Sequence, residues 1–419
     1  MMRITIIGRQ PLSGRVQIAG AKNAALPILA STLLGGGECH IANLPQVRDV
    51  ATMNKLLSLL GASVKQNANR ISISAHTVQS LEAPYDLVKT MRASILVLGP
   101  LLARFGEAVV SLPGGCAIGP RPVNLHLEGF KKMGATIELD HGYIRARASK
   151  LKGQQIDLET PTVTGTENLM MAACLAKGTT IINNAAMEPE IEDLANFLNH
   201  RGANIVGAGT GRIVIEGVSH LHEVEYSVMP DRIETGTYLI AGMVTHGDVE
   251  VNHCIPGHLD SLISKLRKCG ADVRETTDSI RVRAPEKIQP ADVQTFPYPG
   301  FPTDLQAQIM AMLSVADGTS IITENVFEGR FLHVPELQRM GASIAVDGPR
   351  AVVKGAPQLT GAQVMASDLR ASAGLILAGL AAEGETQINR VYHLERGYER
   401  IEDKLQSLGA IVRREPALA

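Results

Sequence analysis

The sequence predicts an α/β protein built from six similar modules, because two landmarks recur along the chain at nearly constant spacing. The first is a Gly-Ala pair after a helix-like stretch, at Gly61, Gly134, Gly202, Gly270, Gly341 and Gly409. The second is a glycine between an Ala/Leu-rich stretch and a strand-like run, at Gly37, Gly106, Gly178, Gly247, Gly318 and Gly384. Both landmarks repeat every 70 residues or so, which indicates a sixfold internal repeat.

Each module is interpreted as strand, helix, strand, helix and a final strand pair. A strand opens the module, as in GRVQIAG (14–20), and an Ala/Leu-rich helix follows, as in NAALPILASTLL (23–34). After a second strand, an amphipathic helix such as DLANFLNHRGA (193–203) has apolar residues at helical spacing. The glycine at its end suits a left-handed C-cap. A strand pair such as ANIVGAGTGRIVIEG (203–217) closes the module.

The length of 419 residues favours two domains. One module buries too little surface to be stable by itself, so we expect three modules in each domain, with a boundary near 217–229. A single solenoid of six units is the alternative, although solenoid repeats are usually shorter.

Composition excludes several classes of function. A net charge of -2, 3% aromatic residues and no Trp argue against a nucleic-acid partner. No apolar run is long enough to span a membrane. The five cysteines are scattered and no signal peptide is evident, so we expect a cytoplasmic protein without disulfides. The neighbouring His246, His253, Cys254 and His258 lack a second ligand cluster, so no metal site is expected.

Polar residues gather at two turns of the module, both leading from a strand into a helix. At the first turn are Lys22, Asn23, Arg92, Asp231, Arg232, Asp304, Asp368 and Arg370. At the second are Arg48, Asp49, 116–121, Glu188, Glu190, Arg330, Glu395 and Arg396. Cations at helix N-termini predict sites for phosphate or carboxylate groups. The alternative for any one residue is a helix cap or a surface ion pair.

The loop 112–122 contains three glycines and three prolines, which predicts a long exposed turn. Cys116 lies in this loop, with Arg121 five residues further on. A nearby cation lowers the pKa of a thiol and makes it reactive. Cys116 is therefore a candidate functional residue, in contrast to Cys174 in the apolar stretch LMMAACLA.

Motifs along the whole chain resemble the enolpyruvyl transferase family, on the branch that uses UDP-N-acetylglucosamine. The most specific segments are GAKNAALP (20–27), APYDLVKTMRAS (83–94), LPGGCAIGPRPVNLHL (112–127), PDRIETGT (230–237), FPTDLQAQ (301–308), HVPEL (333–337), SDLRAS (367–372) and RGYERIEDKL (396–405). The resemblance implies a two-domain inside-out α/β barrel, with three modules per domain around a pseudo-threefold axis. It implies domains of 22–229 and of 1–21 with 230–419, and an active site in the cleft between them.

The resemblance also implies the reaction. The enolpyruvyl group of phosphoenolpyruvate passes to the 3-hydroxyl of UDP-N-acetylglucosamine, through a tetrahedral intermediate and with release of phosphate, as the first committed step of peptidoglycan synthesis. Cys116 protonates the enol carbon and Asp304 accepts the hydroxyl proton, while Lys22, Arg121 and Arg396 hold phosphoenolpyruvate. No cofactor is required. The other substrate-binding residues implied are Asn23, Arg92, Pro122, Val123, Asn124, Leu125, Thr160, Pro161, Thr162, Val163, Val326 and Arg370.

Two alternatives stay open at this point: a shikimate-pathway enolpyruvyl transferase and a non-catalytic UDP-sugar-binding paralogue. The chain departs from some family members at Asn124, Thr160 and Met187, which leaves side-chain contacts at these positions open. Because Cys116 is present, we expect sensitivity to the epoxide fosfomycin, which alkylates this thiol.

Overall fold

The computed structural model describes residues 2–112 and 123–416, which fold into two compact units. The first unit contains 20–112 and 123–229, and the second contains 2–19 and 230–416. Each has its own hydrophobic core.

Within the described residues, the α-helices are α1 (Lys22–Ser31), α2 (Arg48–Leu60), α3 (Tyr85–Val88), α4 (Leu98–Phe105), α5 (Asn124–Lys132), α6 (Val163–Ala173), α7 (Pro189–His200), α8 (Arg232–Val244), α9 (Asp260–Lys268), α10 (Gln306–Leu313), α11 (Val334–Arg339), α12 (Leu369–Ala381) and α13 (Ile401–Ser407).

The strands in the same described ranges are β1 (Met2–Ile7), β2 (Ser13–Gln17), β3 (Glu38–Ala42), β4 (Ser63–Asn67), β5 (Arg70–Ser74), β6 (Glu82–Ala83), β7 (Glu107–Ser111), β8 (Thr136–Asp140), β9 (Tyr143–Arg147), β10 (Gln155–Asp157), β11 (Thr179–Asn183), β12 (Asn204–Val206), β13 (Arg212–Glu216), β14 (Val224–Ser227), β15 (Asp248–Asn252), β16 (Asp272–Glu275), β17 (Ser279–Arg283), β18 (Val293–Gln294), β19 (Thr319–Thr323), β20 (Ser343–Asp347), β21 (Arg350–Lys354), β22 (Gln363–Met365), β23 (Glu385–Asn389) and β24 (Ile411–Pro416). Short 3-10 helices cover Thr32–Leu34, Arg92–Val97, Pro256–His258, Thr303–Leu305 and Val391–Arg396.

The strands form six four-stranded sheets, one for each predicted module, in the part of the chain that the structure describes. In the third module β10 runs parallel to β11, β13 pairs antiparallel with β11, and β12 pairs antiparallel with β13. The register brings Ile182 opposite Ile213. The predicted six-module α/β organisation is thereby confirmed. The sheets are separate, however, and none closes into a hydrogen-bonded barrel within 2–112 and 123–416.

The sequence-based assignment of the first strand was wrong. GRVQIAG was placed at the start of the first module, but β2 pairs parallel with β15 of the fourth module. The first module instead takes β14, which pairs parallel with β3. The N-terminal strand β1 lies between β23 and β24 and completes the sixth sheet. Pairing partners so distant along the chain leave no local signal in the sequence.

One helix of each module is buried on all sides. In the second unit every residue of α8 and α10 is buried, as is every residue of α12 except Ala381. These three helices contact one another. In the first unit α1, α4 and α6 are the corresponding buried helices. A helix that is apolar on all faces belongs inside a protein, in agreement with the Ala/Leu-rich composition of these segments.

The glycine after each amphipathic helix adopts the predicted left-handed backbone. The φ angles at Gly61, Gly134, Gly202, Gly270, Gly341 and Gly409 lie between 93° and 104°. A Cβ atom disfavours this region, so glycine ends the helix there without strain. Among the described residues, no helix combines the length and the apolarity that a membrane crossing requires.

Candidate active site

The first turns of the buried helices of the second unit contain the predicted polar residues. Asp231 caps α8, because its Oδ1 accepts hydrogen bonds from the backbone N–H groups of Ile233 (2.7 Å) and Glu234 (3.0 Å). Asp368 caps α12 in the same way, accepting from the N–H groups of Arg370 (2.9 Å) and Ala371 (3.0 Å). For these two aspartates the structure supports the capping interpretation.

Asp304 differs from the two capping aspartates, because its side chain binds two arginines. Arg330 Nη2 donates to Oδ1 at 2.8 Å, and Arg370 Nη2 donates to Oδ2 at 2.9 Å. The side chains of Arg330 and Arg370 are 6% and 4% exposed, whereas that of Asp304 is 25% exposed. A partly accessible carboxylate is therefore held in one orientation by two buried cations. Charge-assisted bonds of this kind are stronger than neutral hydrogen bonds.

The charge on Arg370 is maintained in spite of its burial. Burial by itself lowers the pKa of a guanidinium, but the carboxylates of Asp304 and Asp231 contribute to raising the pKa of Arg370 above its ordinary value. Its guanidinium also lies 5.6 Å from the ring of Tyr398. Asp304 and Arg370 thus form an ion pair at the N-termini of two neighbouring buried helices.

A buried polar network lies beside this ion pair. The hydroxyl of Tyr398 is 2.8 Å from the hydroxyl of Thr237 and accepts from Gln308 Nε2 at 3.2 Å. Gln308 Nε2 also donates to the backbone carbonyl of Asp304 at 2.9 Å. The network connects α8, α10 and the segment after the 3-10 helix Val391–Arg396, so it restrains the backbone that carries Asp304.

Arg396 is the last residue of the 3-10 helix Val391–Arg396 and is half-buried. The preceding residue, Glu395, accepts from Arg414 Nη1 at 2.5 Å, and Arg414 Nε donates to Glu402 at 2.6 Å. Burial, together with the charge of Arg396, lowers the pKa of His393 in the same helix. The predicted phosphoenolpyruvate ligand Arg396 therefore lies on a segment that an ion-pair network anchors to β24 and α13.

Val326 lies in a turn organised by a buried glutamate. Glu324 is 1% exposed, and its Oε1 accepts from the backbone N–H groups of Val326 (2.9 Å) and Phe327 (3.1 Å). The position of this predicted sugar-nucleotide contact is therefore set by backbone hydrogen bonds to the Glu324 side chain.

In the first unit, Lys22 is the first residue of α1 and is followed by the half-buried Asn23. Lys22 Nζ lies 3.4 Å from Oδ2 of Asp49, and both side chains are largely buried, at 11% and 4% exposure. The N-cap residue of α1 is Ala21, whose methyl side chain cannot accept a hydrogen bond from the helix N-terminus. A helix N-terminus bearing a lysine offers both a positive dipole end and a cation to an anionic group.

Arg92 begins the 3-10 helix that leads into α4, and it lies near the buried His126. Burial, reinforced by the charge of Arg92, lowers the pKa of His126 to about 4. His126 Nδ1 is 3.2 Å from Asn168 Nδ2, whose amide is oriented by the N–H of Gly99 bonding to Oδ1 at 2.8 Å. The imidazole therefore accepts a hydrogen bond through Nδ1 and is neutral.

The other predicted residues of the first unit occupy two helix starts. Thr162 caps α6, with its hydroxyl accepting from the N–H of Gly165 at 3.3 Å, and Val163 begins that helix. Thr160 and Pro161 are exposed. Val123 precedes α5, and Asn124 and Leu125 are its first two residues. Cys116, Arg121 and Pro122 lie outside the described residues.

The structure thus brings Asp304, Arg370 and the Val326 turn together in the second unit, which also contains Arg396. Lys22, Asn23, Arg92, 123–125 and 160–163 belong to the first unit. The described residues contain no group of three or more His, Cys, Asp or Glu side chains arranged to hold a metal ion.

A model of the EPSP synthase (3-phosphoshikimate 1-carboxyvinyltransferase) family matches residues 6–405 of this chain. The chain belongs to this family of enolpyruvyl transferases. The match extends over all six modules, so the buried helices and their polar first turns are features of an enolpyruvyl transferase.

Curated relatives and solved structures agree with this assignment. The chain is 55% identical to UDP-N-acetylglucosamine 1-carboxyvinyltransferase of Myxococcus xanthus, over the full length of both chains. It is 56% identical to the protein of the same name from Thermodesulfovibrio yellowstonii, over 99% of this chain and all of the relative. The enolpyruvyl transferase NikO of Streptomyces tendae superposes over 100% of this chain and 99% of its own with a TM-score of 0.90 at 26% identity. EPSP synthase of Acinetobacter baumannii shares the fold, with a TM-score of 0.76 and 16% identity over 99% of this chain and 100% of its own.

Several residues of this enolpyruvyl transferase escaped the sequence-based prediction of the site. Arg330 and Asp49 were noted as polar turn residues without a role, and each proves to contact a predicted site residue. Thr303 and Glu324 were not predicted to have a role in the site. Thr303 directly precedes Asp304, and adjacency to a predicted site residue is the one clue that the sequence offers for it.

Proposed function

We propose that this enzyme transfers the enolpyruvyl group of phosphoenolpyruvate to the 3-hydroxyl of UDP-N-acetylglucosamine and releases phosphate. Identity of 55–56% over the full chain with relatives named for this activity is the observation that carries the proposal. The activity makes it the first committed enzyme of peptidoglycan synthesis, with consequent roles in cell shape and cell division and a place in the cytoplasm.

The proposed reaction is an addition followed by an elimination. In the addition, the 3-hydroxyl loses its proton to Asp304 and its oxygen bonds to C2 of phosphoenolpyruvate, while C3 gains a proton from the Cys116 thiol. In the elimination, C3 returns a proton to the Cys116 thiolate and the bond from C2 to the phosphate oxygen breaks, which restores the double bond. The departing phosphate takes up the proton that Asp304 accepted, so both side chains regain their starting protonation states. Each proton transfer contributes about 10²–10⁴-fold.

The two arginines that bind the Asp304 carboxylate support its role as the acceptor of the hydroxyl proton. A general base works when its acceptor oxygen is fixed relative to the hydroxyl, and Arg330 and Arg370 each hold one carboxylate oxygen. A carboxylate oxygen has two lone pairs, so an oxygen that accepts from an arginine can also accept a substrate proton. Lys22, Arg121 and Arg396 are proposed to neutralise the phosphate and carboxylate of phosphoenolpyruvate, a task that fixed cations perform well.

UDP-N-acetylglucosamine is proposed to contact Asn23, Arg92 and the segments 122–125 and 160–163, together with Val326 and Arg370. Arg92 and the N-terminus of α6 offer donors for phosphate oxygens. The exposed Thr160 and Pro161 are accessible to a ligand. The proposal assigns no resident cofactor or metal, because both steps are proton transfers and bond exchanges that side chains can perform.

Mass spectrometry of the product formed from phosphoenolpyruvate and UDP-N-acetylglucosamine tests the proposal. We expect the mass of the enolpyruvyl sugar nucleotide and one phosphate released per product. The matched family model is described for the shikimate-pathway enzyme, so phosphate release is measured in parallel with shikimate 3-phosphate. Turnover with shikimate 3-phosphate alone would favour that enzyme, and binding of the sugar nucleotide without turnover would favour a non-catalytic protein.

A further inference from the structure

Glu324 is a buried carboxylate whose two oxygens serve different parts of the second unit. Oε1 accepts from the N–H groups of Val326 and Phe327 and from the hydroxyl of Thr295 at 2.7 Å. Oε2 accepts from the hydroxyl of Thr303 at 2.9 Å. A carboxylate that is 1% exposed and accepts four hydrogen bonds is fixed in position on all sides.

The contact through Oε2 leads to Asp304. The Thr303 hydroxyl donates to Glu324 and accepts from Arg330 Nη1 at 2.8 Å. The other terminal nitrogen of Arg330 donates to Asp304 Oδ1 at 2.8 Å. The hydrogen of the Thr303 hydroxyl is committed to Glu324, so its lone pairs face the guanidinium. The orientation of the Arg330 guanidinium group therefore depends on Glu324.

The contact through Oε1 leads to the Val326 turn. The hydroxyl of Thr295 donates to Oε1 and accepts from the N–H of Asn325 at 2.9 Å, so the turn is held at three consecutive backbone N–H groups. The turn also supports Arg330, whose guanidinium lies 5.3 Å from the ring of Phe327. Both contacts of Glu324 thus meet at Arg330.

We infer that Glu324 is a positioning residue that holds the Asp304 carboxylate and the Val326 turn in a fixed relation. The inference rests on the proposed function, in which Asp304 accepts the sugar proton and Val326 contacts the sugar nucleotide. Because Glu324 is buried, it acts through Thr303 and Arg330 on one side and through the backbone of the turn on the other. One carboxylate then fixes both the residue that accepts the proton and the turn that contacts the sugar nucleotide.

Two isosteric substitutions separate the two contacts. Thr303→Val removes the hydroxyl between Glu324 and Arg330 and leaves the Val326 turn intact. Thr295→Val removes a donor to Oε1 and the acceptor of the Asn325 N–H, and leaves the Asp304 contact intact. Glu324→Gln disturbs one of the two contacts, because the amide oxygen can accept at only one end of the side chain and the NH2 group faces the donors at the other end.

Steady-state kinetics with phosphoenolpyruvate and UDP-N-acetylglucosamine provides the test. We expect Thr303→Val to lower kcat by roughly 10–100-fold, because small misplacements of reacting groups have effects of that size, with little change in the KM for the sugar nucleotide. Thr295→Val should raise that KM and preserve kcat. Glu324→Gln should show at least one of these two changes, and Thr303→Ser, which keeps the hydroxyl, should restore kcat.

Thr5→Val is the matched control. The Thr5 hydroxyl donates to Glu415 at 2.7 Å in the β1–β24 pair of the same unit, so the variant loses a threonine–glutamate bond elsewhere. We expect wild-type kinetics from it. A wild-type enzyme that forms no enolpyruvyl sugar nucleotide would overturn the proposed function and this inference together. An active wild type with Thr303→Val and Glu324→Gln at full kcat and KM would overturn this inference alone. If Glu324→Gln does not fold, the two threonine variants decide.

Discussion

Arg370 Nη2 donates a hydrogen bond to Oδ2 of Asp304 at 2.9 Å and joins the first turns of two buried helices. The two residues come from consecutive modules, 66 positions apart in the chain. In the sequence, each of these two polar first turns could be an isolated helix cap. In the structure, they are joined by the ion pair between Asp304 and Arg370, so substitution of either residue tests the role of the pair.

We predict that Arg370→Met lowers kcat by roughly 100-fold, since Asp304 then keeps one restraining arginine and its carboxylate can rotate. The side chain of Arg370 is 4% exposed. Methionine is apolar and fills part of the same buried space, so the substitution introduces no new buried charge at position 370. Steady-state kinetics measures the effect, and circular dichroism verifies the fold. Arg339→Met is the control, because Arg339 is 62% exposed and pairs with Glu336 on the surface. Equal losses in the two variants would contradict the prediction.

We predict that His126→Gln weakens the pH dependence of stability. Burial, with the Arg92 charge, lowers the pKa of His126 from its ordinary 6.5 to about 4. Between pH 6.5 and pH 4, His126 binds a proton in the unfolded chain but stays neutral in the folded chain. The free energy of unfolding therefore falls as the pH drops through this range. The loss is about 1.4 kcal/mol per pH unit.

Urea unfolding at pH 7.5 and at pH 5 measures this effect. Burial raises the pKa of Asp193 to about 6, and this contributes in the opposite direction, so the comparison between variant and wild type is the informative quantity. We expect the fall in unfolding free energy between the two pH values to be smaller by about 2 kcal/mol in His126→Gln. His200→Gln, at an exposed histidine, should match the wild type. An unchanged difference for His126→Gln would refute the assignment.

We predict that Gly134→Ala destabilises the first unit by about 1 kcal/mol, because a Cβ is strained at a φ of 94°. Among the described residues other than its two chain neighbours, no heavy atom lies within 4 Å of the added methyl group, so we attribute the effect to backbone strain. Gly211→Ala is matched to it, since the space there is equally open and the backbone is not left-handed. Thermal unfolding should show a lower Tm for Gly134→Ala alone. A similar Tm for the two variants would argue against strain at this helix end.

We predict that native alkylation modifies Cys116 alone. The other four cysteines are buried. Burial raises the pKa of Cys174 to about 12 and those of Cys254 and Cys269 to about 11, so their thiolate fractions are small. Peptide mass spectrometry after fosfomycin treatment with UDP-N-acetylglucosamine should find one adduct, at Cys116, and loss of activity. Cys116→Ser should acquire no adduct, and full activity of the modified wild type would contradict the expectation.

The sixfold period, the buried helices and the helix-ending glycines could all be predicted from the sequence, because each depends on local patterns. The pairing of strand β2 could not be predicted from such local patterns. Ser13–Gln17 has the alternation of an ordinary strand, and its pairing with Asp248–Asn252 depends on residues more than two hundred positions away. Similarly, the motif around Asp304 marked it as a site residue, but nothing in the motif indicated that Arg330 and Arg370 hold its two oxygens.

By itself, then, the sequence determined the module, its number of copies and the residue types at each helix start, since turn chemistry and apolar periodicity act over a few residues. Tertiary structure alone decided which of those residues meet. Glu324 illustrates the difference, because its partners Thr295 and Thr303 become its neighbours only after β18, β19 and the buried helix α10 have packed. Burial then turns one unremarkable carboxylate into the common support of two parts of the site.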